Sequence, residues 1–462
     1  MTGFSDILYQ IVLLLLRPIV RWRALRRARG IPAERERLEE RFGQPPLGAP
    51  RGAVWFHAVS VGEVIAAAPI IARFGEAHPE VPILVTTMTA TGAAEVSARL
   101  GSRVTHAYAP YDFRDAVERF LNALCPCLLV LVETELWPNL IRAAKARGIP
   151  VLMVNARLSA RSARRYRLGG ALVRNMLAGI DHVACQYPAH ARRFAALGVA
   201  VDRFSVTGNV KFDAELPAGL AARATALRAR YGLGSAPVWI AASTHVGEES
   251  LVLEAHRAIR ARLPGTRLIL VPRHATRADA VAALCMTAGV SLGRFSAPSS
   301  SDTRAEVLLV DAMGVLLEHY ALAMAAFVGG SLVPAGGHNP IEPAQLGIPV
   351  AMGPHVHNFA DVVDYFEEAD SPIPPRRARR RALRRVASAL ELAQVVGDWL
   401  ADPDAAGAAG AEGQQRVARA RGASDRVFAL LESSFARSVP VAGASDNGAP
   451  LRAPAGKSQT GA

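Results

Sequence analysis

Acidic, basic and glycine residues in this sequence collect at one recurring place, directly after short apolar runs. The densest case is Phe327 to Pro343, Phe-Val-Gly-Gly-Ser-Leu-Val-Pro-Ala-Gly-Gly-His-Asn-Pro-Ile-Glu-Pro. An apolar strand over 324–328 ends there in a glycine pair and a second pair follows. Asn339 then reads as a helix N-cap, with Pro340 in the first helical position. Glycines let a phosphate or sugar approach the backbone closely, and a helix start offers free N–H groups. Glu342 can accept hydrogen bonds from ribose hydroxyls. A tight strand-to-helix turn without a ligand accounts for the glycines alone. His338, Asn339 and Glu342 beside them point to a nucleotide-sugar site.

Three more apolar runs in the same half end in polar groups: Ser243-Thr244-His245 with Glu248 beyond, Pro272-Arg273-His274, and Asp311-Ala312-Met313-Gly314. Arg273 suits bidentate binding of a phosphate, Pro272-Arg273 could frame a base, and Met313-Gly314 offers an apolar wall open to close approach. In the front half, a strand over 53–59 runs into Ser60-Val61-Gly62-Glu63. A carboxylate at that helix mouth is either a general base toward a sugar hydroxyl or an acidic complement to its own helix. Glu133-Thr134-Glu135 places two carboxylates one residue apart at a strand end, a costly arrangement unless they are bonded. Asn155–Ser159, with Arg161 and Ser162, supplies groups for a phosphate or carboxylate, or a helix cap. Lys211, in Thr207–Asp213, is one of three lysines in an arginine-rich chain, the others being Lys145 and Lys457. As a compact mobile charge it could neutralise a leaving phosphate or an acidic sugar.

Positioning these groups requires strands whose carboxyl ends lie side by side. Continuous apolar runs recur with helical stretches between them over 53–206 and again after Tyr231, the cadence of parallel sheets covered on both faces. The α/β architecture expected is two doubly wound, Rossmann-like domains facing each other across a cleft, with ligands beyond the strand carboxyl ends. The boundaries expected are a membrane-associated helix over 1–30, a first domain over 31–210, a linker over 211–230, a second domain over 231–437, and a disordered Gly/Ala/Ser-rich tail over 438–462. A length of 462 residues and a hydrophobic share of 51% suit two large cores. Cys125, Cys127, Cys185 and Cys285 sit in apolar runs and read as core thiols, without metal-ligand spacing, so no metal is expected. The net charge of +13 admits anionic lipid or phosphorylated substrates, while the lack of an aromatic-interleaved basic stripe argues against nucleic acid. At the N-terminus, Ile11–Leu16 is too short to span a bilayer, which takes roughly 20 apolar residues. The arginines from Arg21 to Arg29 with Trp22 fit a helix lying on the cytoplasmic face of a membrane, the other reading being an amphipathic helix packed on its own domain.

His57–Glu63, Glu133–Asn139, Asn155–Ser159, Gly208–Asp213, Pro272–His274 and Gly336–Pro343, in this order and spacing, resemble the 3-deoxy-D-manno-octulosonic acid (Kdo) transferases. The similarity covers roughly residues 7–370. It implies an inverting glycosyltransferase of the GT-B type, needing no cofactor, at the cytoplasmic face of the inner membrane of Gram-negative bacteria. The reaction implied moves Kdo from CMP-Kdo to the lipid A precursor, lipid IVA, in lipopolysaccharide core assembly. By the same resemblance Glu63 is the catalytic base, and Glu133 and Lys211 stabilise the transition state. CMP is expected at Pro272 and Arg273, at Met313, Gly314 and Val315, and at Asn339, Pro340, Ile341 and Glu342. The first domain would take the acceptor and the second the CMP-sugar. Val315 stands where a Glu commonly follows Met-Gly; a backbone contact survives that change and a carboxylate contact does not. A GT-B enzyme using another nucleotide sugar shares the architecture, and a non-catalytic nucleotide-binding module is a more distant reading that Glu63 counts against. A Rossmann dehydrogenase lacks its Gly-x-Gly-x-x-Gly turn here.

Overall fold

The computed structural model describes residues 4–30, 32–367 and 381–438. The tail expected to be disordered lies outside them from 439 onward, as do residues 368–380. The chain divides into two compact units, one built from residues up to 184, 192–205 and those from 427, the other from 185–191 and 206–426. The stretch 211–230 thus lies in the second unit, where it carries helix Leu220–Arg230.

The first sheet has seven strands, β1 (Val54–His57), β2 (Ile83–Thr87), β3 (Thr105–Tyr108), β4 (Leu128–Val132), β5 (Val151–Ala156), β6 (His182–Cys185) and β7 (Phe204–Val206), in the order β3-β2-β1-β4-β5-β6-β7. Pairing is parallel from β3 through β5. Helices cover both faces, so β1, β2, β4 and β5 are buried at every residue, which explains continuous rather than alternating apolar runs. Trp55, Phe56, Phe74 and Phe120 fill this core.

The second sheet has β8 (Val238–Thr244), β9 (Arg267–Pro272), β10 (Leu292–Arg294), β11 (Val307–Leu309), β12 (Ala325–Val328), β13 (Val350–Met352) and β14 (Leu383–Arg385), all parallel, in the order β10-β11-β9-β8-β12-β13-β14. Trp239, Phe327 and Trp399 pack one face, Ile240, Ile269 and Tyr320 the other. Chain order reverses between β1 and β4 in the first sheet and between β8 and β12 in the second. At such a reversal the loops leaving two adjacent strands turn to opposite faces and open a crevice at the carboxyl edge.

Two expectations need correction, and two edge strands went unanticipated. Cys185 and Cys285 are buried, but Cys125 is exposed, ending helix Arg114–Leu124 in the left-handed conformation at φ +43. The edge strands β10 and β14, three residues each, are too short to stand out as apolar runs. The helix after the second glycine pair begins at Ile341, with Pro340 in the cap position at φ −85 and ψ −8. The Asn339 side chain still accepts the Ile341 N–H (3.1 Å), so the capping chemistry is kept one residue out of register.

The N-terminal helix, Phe4–Ala28, continues through Pro18. One face is tied to the first unit: Tyr9 donates to Asp112 (2.8 Å), Gln10 to Asn139 (2.6 Å), and Arg17 forks onto Asp115 (2.9 and 3.1 Å). The other leaves Leu14 and Leu15 67% and 69% exposed. Among the described residues no helix is long and apolar enough to cross a membrane.

Helix Pro403–Ala420 packs so closely on the turn at Gly347 that a Cβ on Gly410 would lie 1.8 Å from the Gly347 carbonyl oxygen, whereas one on Gly407 would meet nothing within 4 Å. Alanine in a helix interior ordinarily stabilises by about 1 kcal/mol over glycine. Gly407→Ala is therefore expected to raise the unfolding midpoint in denaturant, and Gly410→Ala to lower it by about 2 kcal/mol or more through backbone displacement.

Candidate active site

In the first unit β1 and β4 pair from Val54 with Leu128 to His57 with Leu131, so the turns that leave them are neighbours at the switch point. After β1, Ser60 caps helix Val61–Ala77, its Oγ accepting from the Glu63 N–H (3.4 Å). The Glu63 carboxylate reaches back to accept the Ser60 hydroxyl (2.8 Å) and the Val59 N–H (2.6 Å). This is a variant of the capping box, in which the carboxylate at the third helical position takes the N–H of the residue before the cap. The helix-capping reading of Glu63 therefore holds, and the Ser60 hydroxyl that caps the helix also fixes the carboxylate.

Glu63 is 7% exposed. Burial, then the charges of Glu135 and Glu133, push its pKa up to about 8, against the pull of its two hydrogen bonds. Glu133, first after β4, sits at φ +61, a conformation non-glycine residues adopt at an energetic cost and often at functional sites. Its N–H is held by the Val154 carbonyl (3.0 Å). Glu135 accepts the Trp137 indole N–H (2.7 Å), and burial raises its pKa too, with Glu133 adding to the shift. Beneath them His57 is fully buried, edge-on to Trp137 at 4.6 Å and bonded through Nδ1 to Thr86 Oγ1 (2.9 Å). Burial lowers its pKa to about 3, so the floor of the site is neutral. Glu135 carried no separate expectation from sequence; its spacing two residues beyond Glu133 was the available signal. Asn155, at φ +50, lies at the end of the adjoining strand β5, and Thr134, in the turn after β4, donates to the Arg157 carbonyl just beyond β5.

The remaining predicted residues belong to the second unit. Lys211 lies in the turn Val210–Asp213, its N–H donating to Asn209 Oδ1 (3.1 Å) and its ammonium 5.8 Å from the Phe359 ring centre. Asp213 fastens that turn by accepting the N–H groups of Gly422 (2.7 Å) and Ser424 (2.5 Å). Pro272 ends β9, and the Arg273 N–H donates to the Thr244 carbonyl (3.0 Å). The Arg273 charge reaches Glu342, whose carboxyl is raised by burial and drawn back by Asn339 Nδ2 (3.1 Å) and by Arg273. Met313 is 68% exposed on the loop after β11, and Gly314 there takes φ +83. The Val315 side chain packs on the sheet core, and its carbonyl accepts from His319 Nδ1 (2.6 Å). The loops after β11, β9, β8 and β12 leave four adjacent strands, so Met313, Arg273, His245 and Glu342 are gathered at one sheet edge.

Glu248 shapes that edge. It is fully buried and accepts four backbone N–H groups, those of His245 (2.9 Å), Gly330 (2.7 Å), Ser331 (3.0 Å) and Leu332 (2.9 Å). The loop after β8 is thereby stitched to the glycine loop after β12. A Cβ on Gly329 would come within 2.9 Å of the Glu248 carboxylate, so the first glycine pair serves this closure.

The sequence model of the 3-deoxy-D-manno-octulosonic-acid transferase (kdotransferase) family matches residues 36–214. A Haemophilus influenzae 3-deoxy-D-manno-octulosonic acid transferase is 37% identical over 415 residues, covering 88% of this chain and 93% of the relative. The Bordetella pertussis protein of the same name is 40% identical over 354 residues, covering 74% and 80%. Among solved structures, a glycosyltransferase from Rickettsia africae superposes with a TM-score of 0.55 at 10% identity, covering 84% of this chain and 98% of that one, and shares the GT-B type of fold.

A raised carboxyl pKa fixes the sign of a stability change. Native Glu63 holds its proton up to about pH 8, whereas the unfolded chain releases it near 4.5, so its contribution to stability declines as pH rises through that window. Glu63→Gln is expected to match the parent at pH 4 and to exceed it at pH 9 by on the order of 2–4 kcal/mol, read from denaturant unfolding at the two pH values.

Proposed function

This chain belongs to the 3-deoxy-D-manno-octulosonic acid transferase family, and from that premise we propose that it transfers Kdo from CMP-Kdo to a hydroxyl of the lipid A precursor with inversion at the anomeric carbon. The observation that carries the mechanism is the buried Glu63 carboxyl, tuned to about pH 8 and fixed by two hydrogen bonds. A general base works best with a pKa near the working pH. Ionised Glu63 takes the proton of the acceptor hydroxyl while that oxygen bonds to the anomeric carbon. The bond from that carbon to the phosphate oxygen breaks, and its electron pair leaves with CMP. Positive charge building on the sugar ring is met by the Glu133 carboxylate, and the departing phosphate by Lys211 and Arg273. Pro272 with Arg273, Met313 to Val315, and Asn339 to Glu342 hold the cytidylate, with Glu342 on the ribose. Val315 contributes through its backbone, since its side chain is committed to the core.

The N-terminal helix supports a second part of this reading, attachment to the cytoplasmic face of the inner membrane. Leu14, Leu15 and Trp22 are exposed on a helix whose other face is hydrogen-bonded to the first unit, and Arg21, Arg23, Arg26 and Arg29 are exposed at its end. An apolar stripe with an arginine flank rests in the headgroup layer, where each basic residue adds about 1 kcal/mol on anionic lipid. That surface presents the acyl chains and phosphates of the acceptor.

Incubation with CMP-Kdo and a tetra-acylated acceptor, followed by mass spectrometry, is expected to show the acceptor gaining Kdo. Glu63→Gln should lower kcat by about 10²–10⁴-fold with CMP affinity unchanged, and parent kcat/KM should rise with pH to a limb near 8; turnover retained by Glu63→Gln removes the base assignment. Sedimentation with anionic phospholipid vesicles should retain the parent and release a Leu14→Asn, Leu15→Asn double variant. Equal retention of the two would remove the helix from membrane attachment.

A further inference from the structure

At the second switch point two imidazoles meet edge to edge. His245 Nε2 and His338 Nε2 lie 2.8 Å apart, with ring planes 9° from parallel. Their placement is enforced from separate elements. The His245 N–H is bound by Glu248, the same carboxylate that holds the glycine loop, and the His338 N–H donates to the Gly329 carbonyl (3.2 Å). The His338 ring rests against Gly330, where a Cβ would lie 3.0 Å from its Cδ2. Nothing in the transfer chemistry above employs either ring.

A nitrogen–nitrogen contact of this length holds one hydrogen, so one ring donates through Nε2 and the other accepts. With both rings neutral the pair carries two protons, one shared and one on the outer Nδ1 of the accepting ring. The remaining outer Nδ1 is a bare lone pair, which repels an anion. One more proton converts both outer edges to donors and makes the pair a monocation.

We infer that the His245–His338 pair is an anion-binding site that takes up a proton as it receives the phosphate of the nucleotide-sugar donor. The inference rests on the nucleotide reading above and adds a binding element to it. The charged neighbours set the direction of the change. Around His245 stand His274, Arg273 and Arg277, with the Glu248 carboxylate opposing them; around His338 stand Arg273 and His274, and Glu342 lies beside Arg273. Burial and the neighbouring arginines hold His338 down to about 4 and His245 below its ordinary value, so the imidazole pair itself is uncharged at neutral pH. A docked phosphate supplies the missing negative charge and raises the pair's proton affinity. When the bond to the sugar breaks, the electron pair adds a further negative charge to that phosphate, and the protonated pair holds it by charge-assisted hydrogen bonds while keeping its proton.

Calorimetric titration of CMP into the full chain at neutral pH, in buffers of different protonation heat, tests this directly. Binding is expected to take up a substantial fraction of one proton per CMP, although the nucleotide's own phosphate, with a second pKa near 6, by itself releases a little. Cytidine should bind without uptake. His338→Gln and His245→Gln should each abolish uptake and weaken CMP about tenfold while leaving cytidine affinity in place, and His274→Asn should keep the uptake. CMP bound by the parent without proton uptake, or uptake that follows His274 instead, overturns the inference. The parent measurement decides the matter even where a variant fails to fold. Failure of the parent to bind CMP at all is a separate result, which removes the nucleotide reading and this site together.

Discussion

A carboxylate withdrawn from water beside two others governs the first unit. Glu63 cannot easily ionise next to Glu133 and Glu135 in a site floored by neutral His57, and its pKa rises into the range a base needs at physiological pH. Of the two hydrogen bonds that stop it turning to solvent, one comes from Ser60, whose hydroxyl oxygen also caps helix Val61–Ala77. The Ser60–Glu63 pair therefore both starts a helix and fixes the orientation of a carboxyl whose pKa is raised. Sites that hold strain in this way sacrifice stability for chemistry.

Glu248 puts the same side chain to a structural use. It is buried more completely, yet four backbone N–H groups satisfy it. A carboxylate so bonded acts as a structural rivet, closing the loops after β8 and β12 onto each other. Ser331 extends the network, donating to the Val328 carbonyl and accepting from the Gly353 N–H (2.8 Å), and a Cβ on Gly353 would fall 2.1 Å from the Ser331 carbonyl. The glycines of this region thus answer mainly to closure of the loop. That closure is what leaves His245, His338 and Arg273 grouped at the sheet edge.

Much of this was legible in the amino-acid order. Fully covered parallel strands announce themselves as unbroken apolar runs, so the polar groups that follow β1, β4, β8, β9 and β12 mark where those strands end. Ser60-Val61-Gly62-Glu63 carried its capping signature openly. What the order of residues concealed was three-dimensional. Nothing local told that Glu135 would raise the Glu63 pKa, because that depends on β1 and β4 being neighbours although β2 and β3 lie between them in sequence. The tie from Glu248 to the glycine loop spans more than eighty residues, and the contact of His245 with His338 spans 93. The exposure of Cys125 also escaped notice, since an apolar neighbourhood in sequence says little about a left-handed helix end.

The central claim is that Glu63 carries its proton into the neutral range because burial and two neighbouring carboxylates hold it there. Carbon-13 NMR of the glutamate side-chain carboxyls, with the Glu63 resonance identified by its loss in the Gln variant, measures that proton directly across a pH titration. A midpoint near 8 is expected; a midpoint near the ordinary carboxylate value of about 4.5 contradicts it.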